Sequence, residues 1–209
     1  NEYKTSYLYK EVLAIDQLSK LLDKFVYIEQ GEEEKPIFPR YHQLECANLL
    51  LQDSNPGKNY LIEHSAGSGK TKTISWLAHG LINKFDKKDE RIYDMVIVIS
   101  DRKVIDKQLQ NQVQAIEKVK GIVEVIDEKK SSKDLKEALK SGSNIVVTTL
   151  QKFPYILKEV KDLPKRNYAV IIDEAHSSQT GTMAKKMKQI LSTNNLEEAE
   201  KIDSEAMDD

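Results

Sequence analysis

The chain has 209 residues, 39% hydrophobic and 32% charged, which is the composition of a soluble globular domain rather than a disordered segment. At this length one large domain can hide roughly 70% of its unfolded surface. No apolar run approaches the ~20 residues of a membrane span, and a single cysteine, Cys46, excludes an internal disulfide framework and a multi-cysteine zinc site. The net charge of −2 is uneven: residues 197–209 hold seven acids against Lys201 alone, leaving the rest mildly basic at about +4. Any nucleic-acid contact must therefore come from a local groove, not from a general basic field. The start at Asn1 lacks both an initiator Met and a signal peptide, which reads as a fragment or trimmed chain.

In chain order, Leu8, Val12, Ile15, Leu18, Leu22 and Phe25 recur at helical spacing and predict an amphipathic helix over 7–24. Residues 30–39, with Gly31, three glutamates and two prolines, read as a loop. Pro39 suits the start of a second helix that buries Leu44, Ala47, Leu50 and Leu51, and the turn-rich 53–58 ends it. Beyond this point short apolar strands alternate with helices. Strands are expected at 60–63, 95–100, 122–126, 145–149 and 168–173, and helices at 70–84, 102–119, 132–140 and 151–161. Unbroken Val/Ile runs at 95–99 and 169–172 suit strands buried on both faces, so the pattern predicts a central parallel sheet sandwiched by helices.

Two segments carry chemistry. His64-Ser65-Ala66-Gly67-Ser68-Gly69-Lys70-Thr71 sits between an expected strand and an expected helix, the context of a phosphate-binding loop. Small residues such as Ser65, Ala66, Gly67, Ser68 and Gly69 let backbone N–H groups surround a phosphate, and a helix N-terminus adds partial positive charge. Lys70 would reach the β- and γ-phosphates of ATP, and the Thr71 hydroxyl would ligate Mg2+. The strict pattern has Gly where His64 stands, a departure tolerable only with negative φ. About a hundred residues later, Asp173-Glu174-Ala175-His176 closes a buried strand at the edge where open parallel sheets bind ligands. There Asp173 would hold Mg2+, and Glu174 would polarise the water attacking the γ-phosphate.

Together the two motifs resemble the first RecA-like lobe of superfamily 2 helicases and translocases. Phe38-Pro-Arg-Tyr-His-Gln43, the 64–71 loop, Ser75-Trp-Leu-Ala-His79, the run from Val98 to Leu109, Val147-Thr-Thr-Leu-Gln-Lys-Phe153 and Asp173-Glu-Ala-His-Ser-Ser-Gln-Thr-Gly181 resemble more closely the motor (R) subunit of type I restriction enzymes. That family also carries His at the position of His64.

The resemblance implies a RecA-like P-loop NTPase lobe, a three-layer α/β sandwich with a helical lead-in over 1–37, the lobe over 38–196 and an acidic tail over 197–209. It implies an ATP-dependent, cytoplasmic hydrolase that couples Mg-ATP hydrolysis to double-stranded DNA translocation before cleavage, assembled with specificity and modification subunits. It assigns Gln43 to adenine, where an amide can pair at two points. Arg102, Lys103, Gln108, Thr148, Thr149 and Lys152 would face the DNA backbone, and His176 and Gln179 would couple ATP state to DNA contact. Arg40 and Tyr41 would lie near the base or pack the loop.

Trp76 reads as core packing and His79 as a surface or satisfied histidine. Neither Glu33-Glu34-Lys35 nor Asp127-Glu128-Lys129 reads as the family's nuclease site, and no second lobe follows, so the isolated chain is expected to turn over ATP negligibly. Two other readings are a different superfamily 2 motor, of the type III restriction or repair class, and a non-catalytic nucleotide-sensing module.

Overall fold

The computed structural model describes residues 3–6, 8–29, 33–100, 107–117, 121–127, 129–141, 143–149 and 166–173. A π-helical turn, Leu8–Val12, precedes α1 (Ile15–Lys24). A hairpin of β1 (Tyr27–Glu29) and β2 (Lys35–Ile37) leads into α2 (Tyr41–Asp53) and α3 (Lys70–Ile82). The alternating part follows: β3 (Met95–Ser100), α4 (Lys107–Ala115), β4 (Val123–Val125), α5 (Ser132–Ser141), β5 (Ile145–Thr149) and β6 (Tyr168–Ile172).

The last four strands form one parallel sheet in the order β4-β5-β3-β6. From β3 the chain steps outward to β4 through α4, then back to β5 through α5. Parallel crossovers are right-handed, so reversing direction puts the two helices on opposite faces. The core is divided accordingly. Val96 and Val98 of β3 pack with Ile74, Ala78 and Ile82 of α3 and Leu109 and Val113 of α4. Met95, Ile97 and Ile99 pack with Leu135 and Ala138 of α5. All six residues of β3 are buried, which explains the unbroken apolar run and gives the expected helix–sheet–helix layering.

A third cluster ties the lead-in to this lobe. Phe25 and Ala47 pack on Trp76, Leu77 and Ile116. The Trp76 indole Nε1–H donates to the Phe25 carbonyl at 2.8 Å, and Tyr27 meets the indole edge-on at 6.3 Å. Trp76 is thus the core residue its helical position suggests.

The observed elements differ from the sequence expectation in four places. The 7–24 helix is broken into a π turn and α1, and Ile15 is 82% exposed and Leu22 also exposed, so the apolar stripe is not covered as expected. The 30–39 loop contains β2, whose Pro36 is tolerated because, among the described residues, the strand pairs with β1 alone. Residues 60–63 form no strand among the described residues: Leu61 is 77% exposed, and with no ladder neighbour an apolar run has nothing to make it a strand. On α2, Leu44, Leu50 and Leu51 are only half-buried, whereas Gln43 lies in the interior with Ala47. The expected helix over 151–161 lies outside the described residues, as do the flanks of α4.

Candidate nucleotide site

The loop of 64–69 opens α3. Gly67 and Gly69 take φ of 73° and 87°, left-handed values that a side chain disfavours, and Gly69 is the residue from which α3 starts. Its carbonyl accepts from the N–H groups of Lys72 at 3.0 Å and Thr73 at 3.3 Å, and Ser68 N–H closes a turn onto the Ser65 carbonyl at 3.2 Å. Among the described residues Asp89 is the one non-glycine with positive φ, so His64 meets the condition its departure from glycine imposes.

The N-terminus of α2 lies behind this loop. Gln43 is 3% exposed, and its amide nitrogen donates to the carbonyls of Ser68 at 3.2 Å and Gly69 at 3.0 Å. Its amide oxygen accepts the N–H of Arg40 at 2.8 Å, capping α2 from its third residue. His42 Nε2 meets the Ser68 carbonyl at 3.0 Å. A carbonyl only accepts, so that nitrogen carries the proton. The Arg40 guanidinium reaches the Gly67 carbonyl at 3.4 Å. His64 stands edge-on to His42, ring centres 5.6 Å apart. Burial, with His42 and Lys70 nearby, holds the pKa of His64 below the ordinary histidine value.

Three strand ends share the carboxyl edge of the sheet. Ser100 of β3 is in register with Thr149 of β5, and Asp173 follows β6, its N–H donating to the Ile99 carbonyl at 2.9 Å. The opposite, amino edge is fixed by the turn before β3, where Ile92 N–H donates to the Lys84 carbonyl at 3.0 Å, just past α3. An α-helix of 13 residues runs ~20 Å, about the length of a six-residue strand. With α3 packed on β3 and its end at the amino edge, Lys70 and Thr71 lie toward the edge that Asp173 closes.

Gln108 is on the exposed side of α4. Thr148 and Thr149, expected to face DNA, are instead buried at 0% and 2%, because β5 is an inner strand covered on both faces. The residues Arg102, Lys103, Lys152, Glu174, His176 and Gln179 lie outside the described residues. His79 is the satisfied histidine expected, its Nε2 2.8 Å from the Val113 carbonyl. Sequence reasoning gave His42 no role. The one available signal was its place beside Gln43 in a short polar run at a helix start.

The SWI2/SNF2 ATPase profile matches residues 42–196, from the start of α2 past the acidic motif. The chain belongs to the SWI2/SNF2 ATPase family. It is an ATP-hydrolysing domain by that membership, and nucleotide use follows from it. The chain is 29% identical over 178 residues to the type I restriction enzyme SauMSSORF170P endonuclease subunit of Staphylococcus aureus (strain MSSA476), a match covering 83% of the chain and 18% of the relative. It is 27% identical over 177 residues to the SsaAORF53P endonuclease subunit of Staphylococcus saprophyticus, covering 82% of the chain and 18% of that relative. These matches bear out the resemblance to the helicase-like region of type I R subunits, of which the chain spans about one fifth. In fold, the chain is similar to the UvsW helicase of bacteriophage T4, with a TM-score of 0.56 at 16% identity over 87% of the chain and 57% of that protein. A parallel sheet with helices on both faces and this neighbour together make the lobe RecA-like. No helix among the described residues is long and apolar enough to cross a membrane.

Proposed function

We propose that the chain is the first motor lobe of an ATP-dependent double-stranded DNA translocase, the R subunit of a type I restriction enzyme, working in the cytoplasm with specificity and modification subunits. Residues 1–37 would serve as lead-in, 38–196 as the lobe and 197–209 as an acidic tail, with a nuclease domain and a second RecA-like lobe elsewhere in the polypeptide. What supports the reading is the pair of left-handed glycines, Gly67 and Gly69, that open α3 directly before Lys70 and Thr71, with Asp173 at the carboxyl end of β6.

In this reading the N–H groups of 67–71 bind the triphosphate of ATP, and the Lys70 ammonium offsets charge on its β- and γ-phosphates. The Thr71 hydroxyl and the Asp173 carboxylate are hard oxygen donors. They fit Mg2+, which takes few protein ligands beside phosphate and water. That ion would offset the charge that develops on the phosphates. Glu174, next to Asp173, orients the attacking water and takes its proton. Arg102, Lys103, Gln108 and Lys152 supply backbone contacts to DNA, which give affinity without sequence information, as a translocating motor requires. Thr148 and Thr149 back that track from inside the sheet, and His176 and Gln179 couple it to the ATP site. Two-point adenine pairing by Gln43 is not carried into this proposal, since both ends of its amide are bonded within the chain.

The test is plasmid-stimulated ATP hydrolysis by the full-length polypeptide carrying this lobe, with Lys70→Ala and Glu174→Gln as controls. Stimulation that either substitution removes supports the motor. Mg-ATP binding with no DNA-dependent turnover points instead to a nucleotide sensor.

A further inference from the structure

Two helices lie side by side on one face of the sheet. Ile74, Ala78 and Ile82 of α3 pack with Leu109 and Val113 of α4 over Val96 and Val98 of β3. Both run from the carboxyl edge to the amino edge, since α3 leads into the start of β3 and α4 leads from its end to the start of β4. The start of α3 carries Lys70 and Thr71, and the start of α4 carries Gln108. Apolar contact is non-directional, so by itself it sets the register of one helix on the other only loosely.

His79, late in α3, adds a directional tie. Its Nε2 lies 2.8 Å from the Val113 carbonyl, and because a carbonyl only accepts, that nitrogen carries the hydrogen. Val113 is in the last turn of α4, where carbonyls lack a partner within the helix. The Glu117 N–H, four residues on, bonds the Gln114 carbonyl instead at 3.0 Å. Sliding α4 by one residue would move Val113 by about 1.5 Å, beyond the roughly 0.5 Å span of N–H···O distances, so the bond admits one register. Further along, the Glu117 carboxylate accepts the N–H groups of Ile122 at 2.6 Å and Val123 at 3.1 Å, which ties the same end of the segment to β4. Gln112 of α4 is 7% exposed, and its Oε1 has no partner among the described residues, so that atom adds no anchor.

We propose that His79 is a positioning residue that pins α4 to the nucleotide helix α3, so that occupancy of the ATP site and contact of α4 with DNA act on each other. The proposal rests on the motor reading above and names a joint between its two sites. His79 lies nine residues past Lys70, about 13.5 Å along the helix, and touches neither ligand. With the far ends pinned, a shift of α3 reaches the start of α4 as a displacement instead of being lost as slip.

The full-length polypeptide carrying this lobe is titrated with a non-hydrolysable Mg-ATP analogue, with a DNA duplex, and with each in the presence of the other. The factor by which one ligand changes the affinity of the other is the coupling, and for binding it is equal in both directions. His79→Gln keeps an N–H donor at similar reach, His79→Met has similar size and no donor, and His79→Phe keeps a ring without a donor. In the Met and Phe variants each ligand alone should bind within about twofold of the parent, while the coupling factor moves toward one by about threefold to tenfold, the worth of one hydrogen bond. His79→Gln should recover most of it. Parental coupling in the two variants without a donor overturns the proposal. So does a loss that His79→Gln shares in full, because the bond is then not what matters. A parallel fall in both separate affinities makes His79 a packing residue and overturns it too. Should His79→Phe lose its helical circular dichroism, the Gln and Met pair decides alone. A parent that binds both ligands without coupling also defeats the proposal and leaves the two sites standing. A parent that binds no nucleotide, or no DNA, refutes the motor reading itself, and this proposal falls with it.

Discussion

The amide nitrogen of Gln43 occupies the space that a side chain on Gly69 would need, 2.5 Å from where its Cβ would be. The two residues are 26 apart in sequence, and their contact joins the start of α2 to the start of α3. Substitution of Gly69 thus meets two obstacles at once, the overlap and a φ of 87°.

Gly69→Ala should weaken Mg-ATP binding by about tenfold to a hundredfold, since a left-handed non-glycine residue costs about 1–3 kcal/mol before any clash. Helical circular dichroism should stay near that of the parent. Adding Gln43→Ala removes the overlap but not the strained φ, so the double variant stays weak. Parental affinity in Gly69→Ala would mean that binding does not need this loop conformation.

Lys70→Ala removes the ammonium at the first position of α3. A hydrogen bond to a charged group is worth about 1.5–3 kcal/mol, so titration of a fluorescent ATP analogue should show a loss of about tenfold to a hundredfold. An unchanged titration would place the triphosphate somewhere other than this loop.

Stability should fall on the acid side of neutrality through His79. Burial lowers its pKa, outweighing the Val113 carbonyl and Glu117, which both favour the charged form. The folded chain thus binds a proton less readily than the unfolded chain, whose histidines titrate near 6.5. The contribution is intact above that value and is lost as the pH falls through it to the lowered folded value. His64 is shifted in the same direction. Urea midpoints between pH 8 and 5 should fall, and more gently in His79→Gln. An identical slope in that variant would assign the acid loss to other groups.

Trp76→Phe should destabilise the chain by about 1–3 kcal/mol, because the Phe25 carbonyl loses its donor inside a packed cluster. Urea unfolding followed by circular dichroism reads this directly. No shift in the midpoint would mean that the lead-in contributes nothing to the stability of the lobe.

The sequence by itself determined the local vocabulary. The Val/Ile run at 95–99 had to be a strand buried on both sides, and the spacing of Leu109 and Val113 had to be helical. The 64–71 and 173–176 motifs announced their chemistry because backbone freedom, an ammonium and carboxylates at strand ends are properties of residue type and neighbours. The tertiary structure alone decided what those residues face. It set the strand order β4-β5-β3-β6, left Leu61 and Ile15 outside the core and buried Thr148 and Thr149. It also turned Gln43 inward onto the loop. Periodicity records which side of an element is apolar. The partner that meets that side, or that takes an amide's hydrogen bonds, is a relation between distant residues that no local pattern encodes.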